Sequence, residues 1–123
     1  MNRATAKRRR AWQTGLTAEA QSAWLLRLKG YRILAQRLKT PVGEIDLVAR
    51  RGRLLIFAEV KARPTYAEAA EAVTPRQRQR IEAASQVFVA QNPAFADFGQ
   101  RFDAILCVPG RWPSHLTDAW RPD

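Results

Sequence analysis

The chain is poor in the residues that most often carry covalent bracing or nucleophilic chemistry. Its 123 residues include one cysteine, Cys107, and one histidine, His115. A lone cysteine cannot close an internal disulfide, and such usage fits a reducing cytoplasm. Cys107 sits in the apolar run AILCV at 104–108, where a small buried hydrophobe is the plain reading. His115 has no strong triad context, which argues against Cys–His catalysis. No apolar stretch approaches the ~20 residues that span a bilayer, so no membrane helix is expected. Acids are also scarce. Eleven Asp and Glu stand against 21 Lys and Arg, a formal net charge of +10. That imbalance points to a polyanion as partner, nucleic acid or an acidic membrane surface.

What is present is enough for one compact α/β domain, with 46% apolar residues to supply a core. Residues 1–14 read as a basic flexible tail that lacks the apolar segment of a secretory signal. Residues 15–123 read as the domain. A helix is expected over 17–29, with Thr17 as N-cap, Gly30 as stop signal, and Ala20, Trp24 and Leu28 on one stripe. Strands are expected at 31–38, 43–50 and 54–61. In the second, Ile45, Leu47 and Ala49 alternate against Glu44, Asp46 and Val48. The apolar lead-in Leu54–Ala58 marks the third as a central strand covered on both faces. Thr74-Pro75-Arg76-Gln77 opens a helix to about Gln91. It has an N-cap threonine, proline at the first position and Gln77 closing a capping box. Ile81, Ala84, Val87 and Phe88 should face inward. Asn92-Pro93 ends the helix, and strands follow at 101–108 and 116–120. The order α-β-β-β-α-β(-β) describes a mixed central sheet flanked by helices.

Two runs in this pattern need a chemical explanation. GEIDLVAR at 43–50 and LLIFAEVKAR at 54–63 place Asp46, Glu59 and Lys61 inside otherwise apolar strands. Charges there are costly unless paired or bound to a cation. Glu59 and Lys61 share a face because strand side chains alternate. Asp46 joins them if the hairpin loop has two residues. Gly52 favours an Arg51-Gly52 turn of type I′, which pairs Arg50 with Arg53, Asp46 with Phe57 and Glu44 with Glu59. Asp46 and Glu59 then lie diagonally on one face with β-carbons roughly 7 Å apart. A three-residue loop would turn Asp46 to the opposite face.

Two such carboxylates suit Mg²⁺ or Mn²⁺, with the Val60 carbonyl as a possible third ligand. The ion would relieve their repulsion, polarise a phosphoryl oxygen and help generate hydroxide. Lys61 would orient or deprotonate water, or stabilise charge in the transition state. Glu19 is placed near the same ion through a water, and Glu44 is a further candidate acid. Arg76, Arg78 and Arg80 at the start of the second helix, with Arg63, would hold a nucleic-acid backbone. A solvated ion pair at a sheet edge is the bland account of Glu59 and Lys61, but the apolar lead-in argues against an edge. The four tryptophans read as core or rim residues before base-stacking platforms. Asp103 reads as structural before catalytic, and His115 as a surface or satisfied residue.

The same residues resemble the YraN-like family of small bacterial proteins, part of the restriction-endonuclease-like PD-(D/E)xK superfamily. The resemblance covers about residues 12–120. It rests on Gly15 with Glu19-Ala20, Gly30-Tyr31, GEIDLVAR, FAEVKAR, Ala72-Val73 and Arg101-Phe102-Asp103. It implies a restriction-endonuclease-like core, similar to that of archaeal Holliday-junction resolvases. Metal binding would fall to Asp46, Glu59 and Lys61's E-x-K segment, with help from Glu19. The chain departs from the family pattern at Gln77, where a lysine is usual, and at Ala67, where a glycine is common. The expectation is a metal-dependent endonuclease acting on DNA, structure-selective or non-specific, with a homodimer possible. The rival readings are a non-catalytic nucleic-acid-binding protein that keeps the fold and a protein-interaction subunit serving RNA or a ribosome.

Overall fold

A computed structural model describes residues 17–123. The expected tail at 1–14, with Arg8 to Arg10, and Gly15 lie outside the described residues. Helix α1 spans Ala18–Leu28, followed by strands β1 Arg32–Thr40, β2 Gly43–Arg51 and β3 Leu54–Ala62. Helices α2 Tyr66–Glu71 and α3 Pro75–Gln91, a 3-10 turn at Pro93–Phe95, and strands β4 Gly99–Cys107 and β5 Ser114–Trp120 complete the chain. The five strands lie in sequence order, β1-β2-β3-β4-β5. All neighbours are antiparallel except β3 and β4, which run parallel. The α2–α3 segment is the crossover that a parallel pair requires. This is the mixed sheet and helix order expected of a restriction-endonuclease-like core. Among the described residues no helix is long and apolar enough to cross a membrane.

The central position of β3 follows from its sequence. Leu55, Ile56, Phe57 and Ala58 are all inaccessible to solvent and feed two cores in alternation. On one face Ile56 and Ala58 meet Leu47, Ala49, Ile105 and Ala23 and Leu26 of α1. On the other, Leu55 and Phe57 meet Phe102, Leu106 and Ile81, Ala84 and Phe88 of α3.

Local chemistry explains the helix ends. Thr17 Oγ1 accepts the Ala20 N–H at 3.0 Å, and Thr74 Oγ1 accepts the Gln77 N–H at 3.3 Å. The buried stripe of α1 differs from the expected one. Trp24 and Leu28 face solvent, while Ser22, Ala23 and Leu26 face the sheet. Small residues win there because the helix lies close to β4. Ser22 Oγ donates to the Ala18 carbonyl at 2.7 Å and lies 3.5 Å from Cys107 Sγ. In α3, Ser85 is buried where Val87 was expected inward, and Val87 is half-buried.

Helix α2 was not anticipated. Its signal is Thr65 three residues before Glu68, whose N–H the threonine Oγ1 accepts at 3.1 Å. Ala67 falls inside this helix, where alanine is better than glycine by about 1 kcal/mol. One glycine is required by packing. A β-carbon on Gly43 would lie 2.6 Å from the Arg80 carbonyl oxygen, so α3 rests directly on the start of β2.

Candidate functional site

The β2–β3 hairpin places Asp46. Its loop has two residues, but they are Gly52-Arg53, pairing Arg51 with Leu54. Gly52 takes φ +60° and Arg53 is not left-handed. Glycine at the first central position is the type II′ arrangement rather than the expected type I′. The register moves accordingly. The ladder runs from Arg51/Leu54 to Leu47/Ala58, so the next opposed residues are Asp46 and Glu59. The two acids face each other directly instead of diagonally.

At that point the strands part. The Val60 N–H donates to Asp46 Oδ2 at 2.8 Å, where a ladder carbonyl would otherwise stand. A strand residue sends its N–H and C=O toward the same neighbour, so the Val60 carbonyl opens into the same gap. On the β1 side, Arg37 lies between the pairs Gln36/Leu47 and Leu38/Ile45 with φ +50°. The face alternation slips there. Leu47 belongs to the α1-side core, yet Ile45 and Val48 both belong to the α3-side core. This corrects the strict Ile45, Leu47, Ala49 alternation expected for β2. The slip leaves Asp46 at the break with its carboxylate directed sideways at β3.

Burial dominates the electrostatics. It pushes the Asp46 carboxyl up, against the hydrogen bonds from the Val60 N–H and from Glu59. It also raises Glu59, to about 7, with the neighbouring Asp46 charge adding to the effect. Lys61 Nζ, 3.2 Å from Glu59 Oε1, pulls the other way. Both carboxyls are thus held above their ordinary range by burial, with the Val60 N–H on Asp46 and Lys61 beside Glu59 partly offsetting it.

Beside this pair lies a cleft of about 310 Å³ lined by Glu44, Asp46, Glu59, Gln77, Arg80 and Ile81. The last three are the i, i+3 and i+4 positions of α3 and form one wall. Gln77 makes only half of the expected capping box. Its backbone N–H is capped by Thr74, but its side-chain Oε1 is buried without a hydrogen-bond partner. Native structures rarely leave a buried acceptor orphaned. Together with the Asp46 and Glu59 carboxylates and the Val60 carbonyl, this oxygen forms a set of hard donors of the kind Mg²⁺ or Mn²⁺ takes. Among the described residues, no three His, Cys, Asp or Glu side chains form a metal cluster.

The remaining expected site residues divide. Glu19 is close enough for its charge to raise Asp46, but its carboxylate is held by Arg37 Nε at 2.6 Å. Arg80 lines the cleft, and Arg76, one turn earlier, is exposed. Arg78 does not join them. Its Nε donates to the Val73 carbonyl at 3.2 Å and its guanidinium covers Trp120 at 5.7 Å. A two-residue step rotates a side chain about 200° around a helix, so the three arginines cannot share one face. Arg63 follows β3, exposed, with Nη1 donating to the Ala62 carbonyl at 2.7 Å.

Sequence comparison agrees with the architecture. The model of the uncharacterised protein family UPF0102 matches residues 18–107. A UPF0102 protein of Parvibaculum lavamentivorans is 58% identical over 112 residues, covering 91% of this chain and 84% of the relative. One of Rhodopseudomonas palustris strain HaA2 is 56% identical over 110 residues, covering 89% and 86%. One of a Chelativorans species is 49% identical over 113 residues, covering 92% and 91%. The chain is a member of the UPF0102 family. The matched span contains α1 to β4, and with them every element that lines the cleft.

A second buried acid in this UPF0102 protein is fully paired. Asp103 stands at the β4–β5 irregularity between the pairs Phe102/Trp120 and Ala104/Leu116. It receives two hydrogen bonds from Arg101 at 2.8 Å, and the Asp118 N–H at 2.9 Å. His115 Nε2 lies 2.7 Å away. Burial alone would raise its carboxyl, but these partners outweigh that and hold it at about 2. The structural reading of Asp103 and the satisfied reading of His115 both fit this arrangement.

Proposed function

We propose that this UPF0102 protein is a metal-dependent endonuclease that hydrolyses DNA phosphodiester bonds in a reducing cytoplasm. The observation that carries the reading is the pair of carboxyls of half-buried Asp46 and buried Glu59, opposed across a strand break, with Lys61 on one acid and an orphaned Gln77 oxygen beside them. A divalent cation relieves the repulsion between two such carboxylates and competes with protons for them. Asp46, Glu59 and the Val60 carbonyl would hold Mg²⁺ or Mn²⁺, with the Gln77 oxygen available to the ion or its water. When bound, the ion would polarise the phosphoryl oxygen and lower the pKa of a water. Lys61, fixed by Glu59, would orient that water or offset charge on the phosphoryl group in the transition state. Arg80, Arg76 and Arg63 would take the neighbouring phosphates. Arginines contacting phosphates read charge rather than sequence, which favours structure-selective or non-specific action.

The test is incubation with linear and branched DNA in Mg²⁺, Mn²⁺ or EDTA, comparing the wild type with Asp46→Ala and Lys61→Ala. Cleavage should need the metal and fall by at least about 10²-fold in each variant. Equal cutting by all three proteins refutes the site. The Glu19–Arg37 pair favours one alternative, a non-catalytic nucleic-acid-binding protein, because it withholds the third acid. Salt-sensitive DNA binding with no metal uptake would support that alternative.

A further inference from the structure

We propose that Trp112 is a stacking platform for an unpaired nucleobase, so that the cleft serves DNA with a single-stranded segment rather than continuous duplex. The inference rests on the nuclease reading above and narrows its substrate class.

Trp112 is 68% exposed, yet its backbone is pinned. Its carbonyl accepts the Tyr66 hydroxyl at 3.2 Å, and the next residue, Pro113, is buried. The Arg111 N–H closes the preceding turn on the Val108 carbonyl at 3.2 Å. Tyr66 itself packs against the α3-side core, the face of the sheet that carries Glu59 and Lys61. A single exposed apolar residue is ordinary. A large exposed ring carried on a backbone held by Tyr66, the 108–111 turn and buried Pro113 is a prepared surface.

Charge completes it. Lys61 and Arg63 are two residues apart at the end of β3. The Arg63 N–H donates at 3.1 Å to the carbonyl of Cys107, the last residue of β4. From Cys107 departs the connection that carries Arg111 and Trp112, and Arg63 and Arg111 are both exposed. Lys61 and Arg63 thus stand on a segment tied by its backbone to the one that carries Arg111 and Trp112. Phosphate-tracking cations beside an exposed aromatic ring form the recurring surface for single-stranded nucleic acid. Duplex DNA would offer this surface only phosphates, because its bases are stacked inward, whereas an unpaired base needs no extrusion. Trp24, the other strongly exposed tryptophan among the described residues, lacks this setting. It lies on α1, across the sheet, with the Arg27 guanidinium over its ring at 5.2 Å.

Anisotropy titrations with the full-length protein would use fluorescein-labelled oligothymidylate and a blunt duplex, in EDTA so that nothing is cut. Trp112→Ala should weaken oligothymidylate binding about tenfold and duplex binding less than about twofold, and Trp112→Phe should restore most of the loss. The salt dependence should stay that of the wild type, since no phosphate contact is removed. Equal losses on both DNAs, or none on oligothymidylate, overturn the platform and leave the nuclease reading standing. If the wild type binds neither DNA at low salt, both readings fall together.

Discussion

Gly43→Ala isolates the contact that seats the cleft wall. A β-carbon there would lie 2.6 Å from the Arg80 carbonyl oxygen, 3.1 Å from its carbon and 3.2 Å from Arg80 Cβ. Reaching ordinary contact at 3.4 Å requires α3 to withdraw by about 0.8 Å. The obstacle is helix backbone, so no side-chain rotation relieves it. Overpacking of this kind costs about 1–3 kcal/mol. Alanine also reduces the entropy of the unfolded chain, which returns about 0.4–1 kcal/mol. The net is a loss of about 1–2 kcal/mol, or roughly 4–16 °C in Tm for a domain near this size. Gly99→Ala is the control. Its nearest new neighbour would be Leu54 Cδ1 at 3.6 Å, ordinary contact, so only the entropy gain should remain. Urea and thermal unfolding of the two variants give the comparison. A Gly43→Ala protein as stable as Gly99→Ala would refute the claimed seat of α3 on β2.

Arg78→Ala should lower stability by about 1 kcal/mol, through the lost Val73 bond and Trp120 contact, with DNA affinity within about twofold of wild type. Arg80→Ala should do the reverse, leaving Tm unchanged while lowering DNA affinity and reducing the salt slope by about one ion, as anisotropy across a salt series would show. The Asp103 carboxyl is depressed to about 2 in the fold against 3.8 for an ordinary aspartate. Its contribution is therefore complete above pH 4 and disappears as pH falls toward 2. The loss should be about 2 kcal/mol in acid unfolding curves, and Asp103→Asn should flatten that limb. Asp46→Asn keeps an acceptor for the Val60 N–H. Its Tm should stay within a few degrees of wild type while calorimetric Mn²⁺ binding is lost; undiminished binding would place the ion elsewhere.

The sequence was most legible where one pattern controls the outcome. Apolar runs and turn residues marked all five strands. Thr74-Pro75 marked α3, and Leu54–Ala58 marked the centre of the sheet. Parity alone put Asp46 and Glu59 on one side, and it survived the wrong turn because both registers use a two-residue loop. The finer register did not survive. Gly52 can occupy either central position of a tight turn, and the choice moves each partner by two residues. Gln77 was misread for a related reason. The T-x-x-Q spacing satisfies a helix cap locally, but only the packed α3–β2 interface turns the side chain into a cleft. The arginine cluster failed on helical geometry, since neighbours in sequence at i and i+2 diverge around the axis. Arg37 carried no signal, because a left-handed arginine within a strand is decided by the strands beside it.

These misplaced details share one location. Asp46 stands where Arg37 adopts a left-handed backbone, where the β2–β3 ladder ends, and where α3 leaves an acceptor unpaired. Each feature is unfavourable alone. A left-handed non-glycine residue is strained, a shortened ladder loses hydrogen bonds, and burial works against two neighbouring charged acids. The exposed Glu19–Arg37 ion pair compensates little. At the β4–β5 irregularity, which has its own left-handed residue in Asp118, the more deeply buried Asp103 has every oxygen satisfied and a depressed pKa. The same sheet thus satisfies one buried carboxylate completely and leaves a pair under-neutralised beside a cleft lined by Arg80. An acid pair that shares its cleft with an unpaired Gln77 acceptor marks the place where a ligand completes the structure.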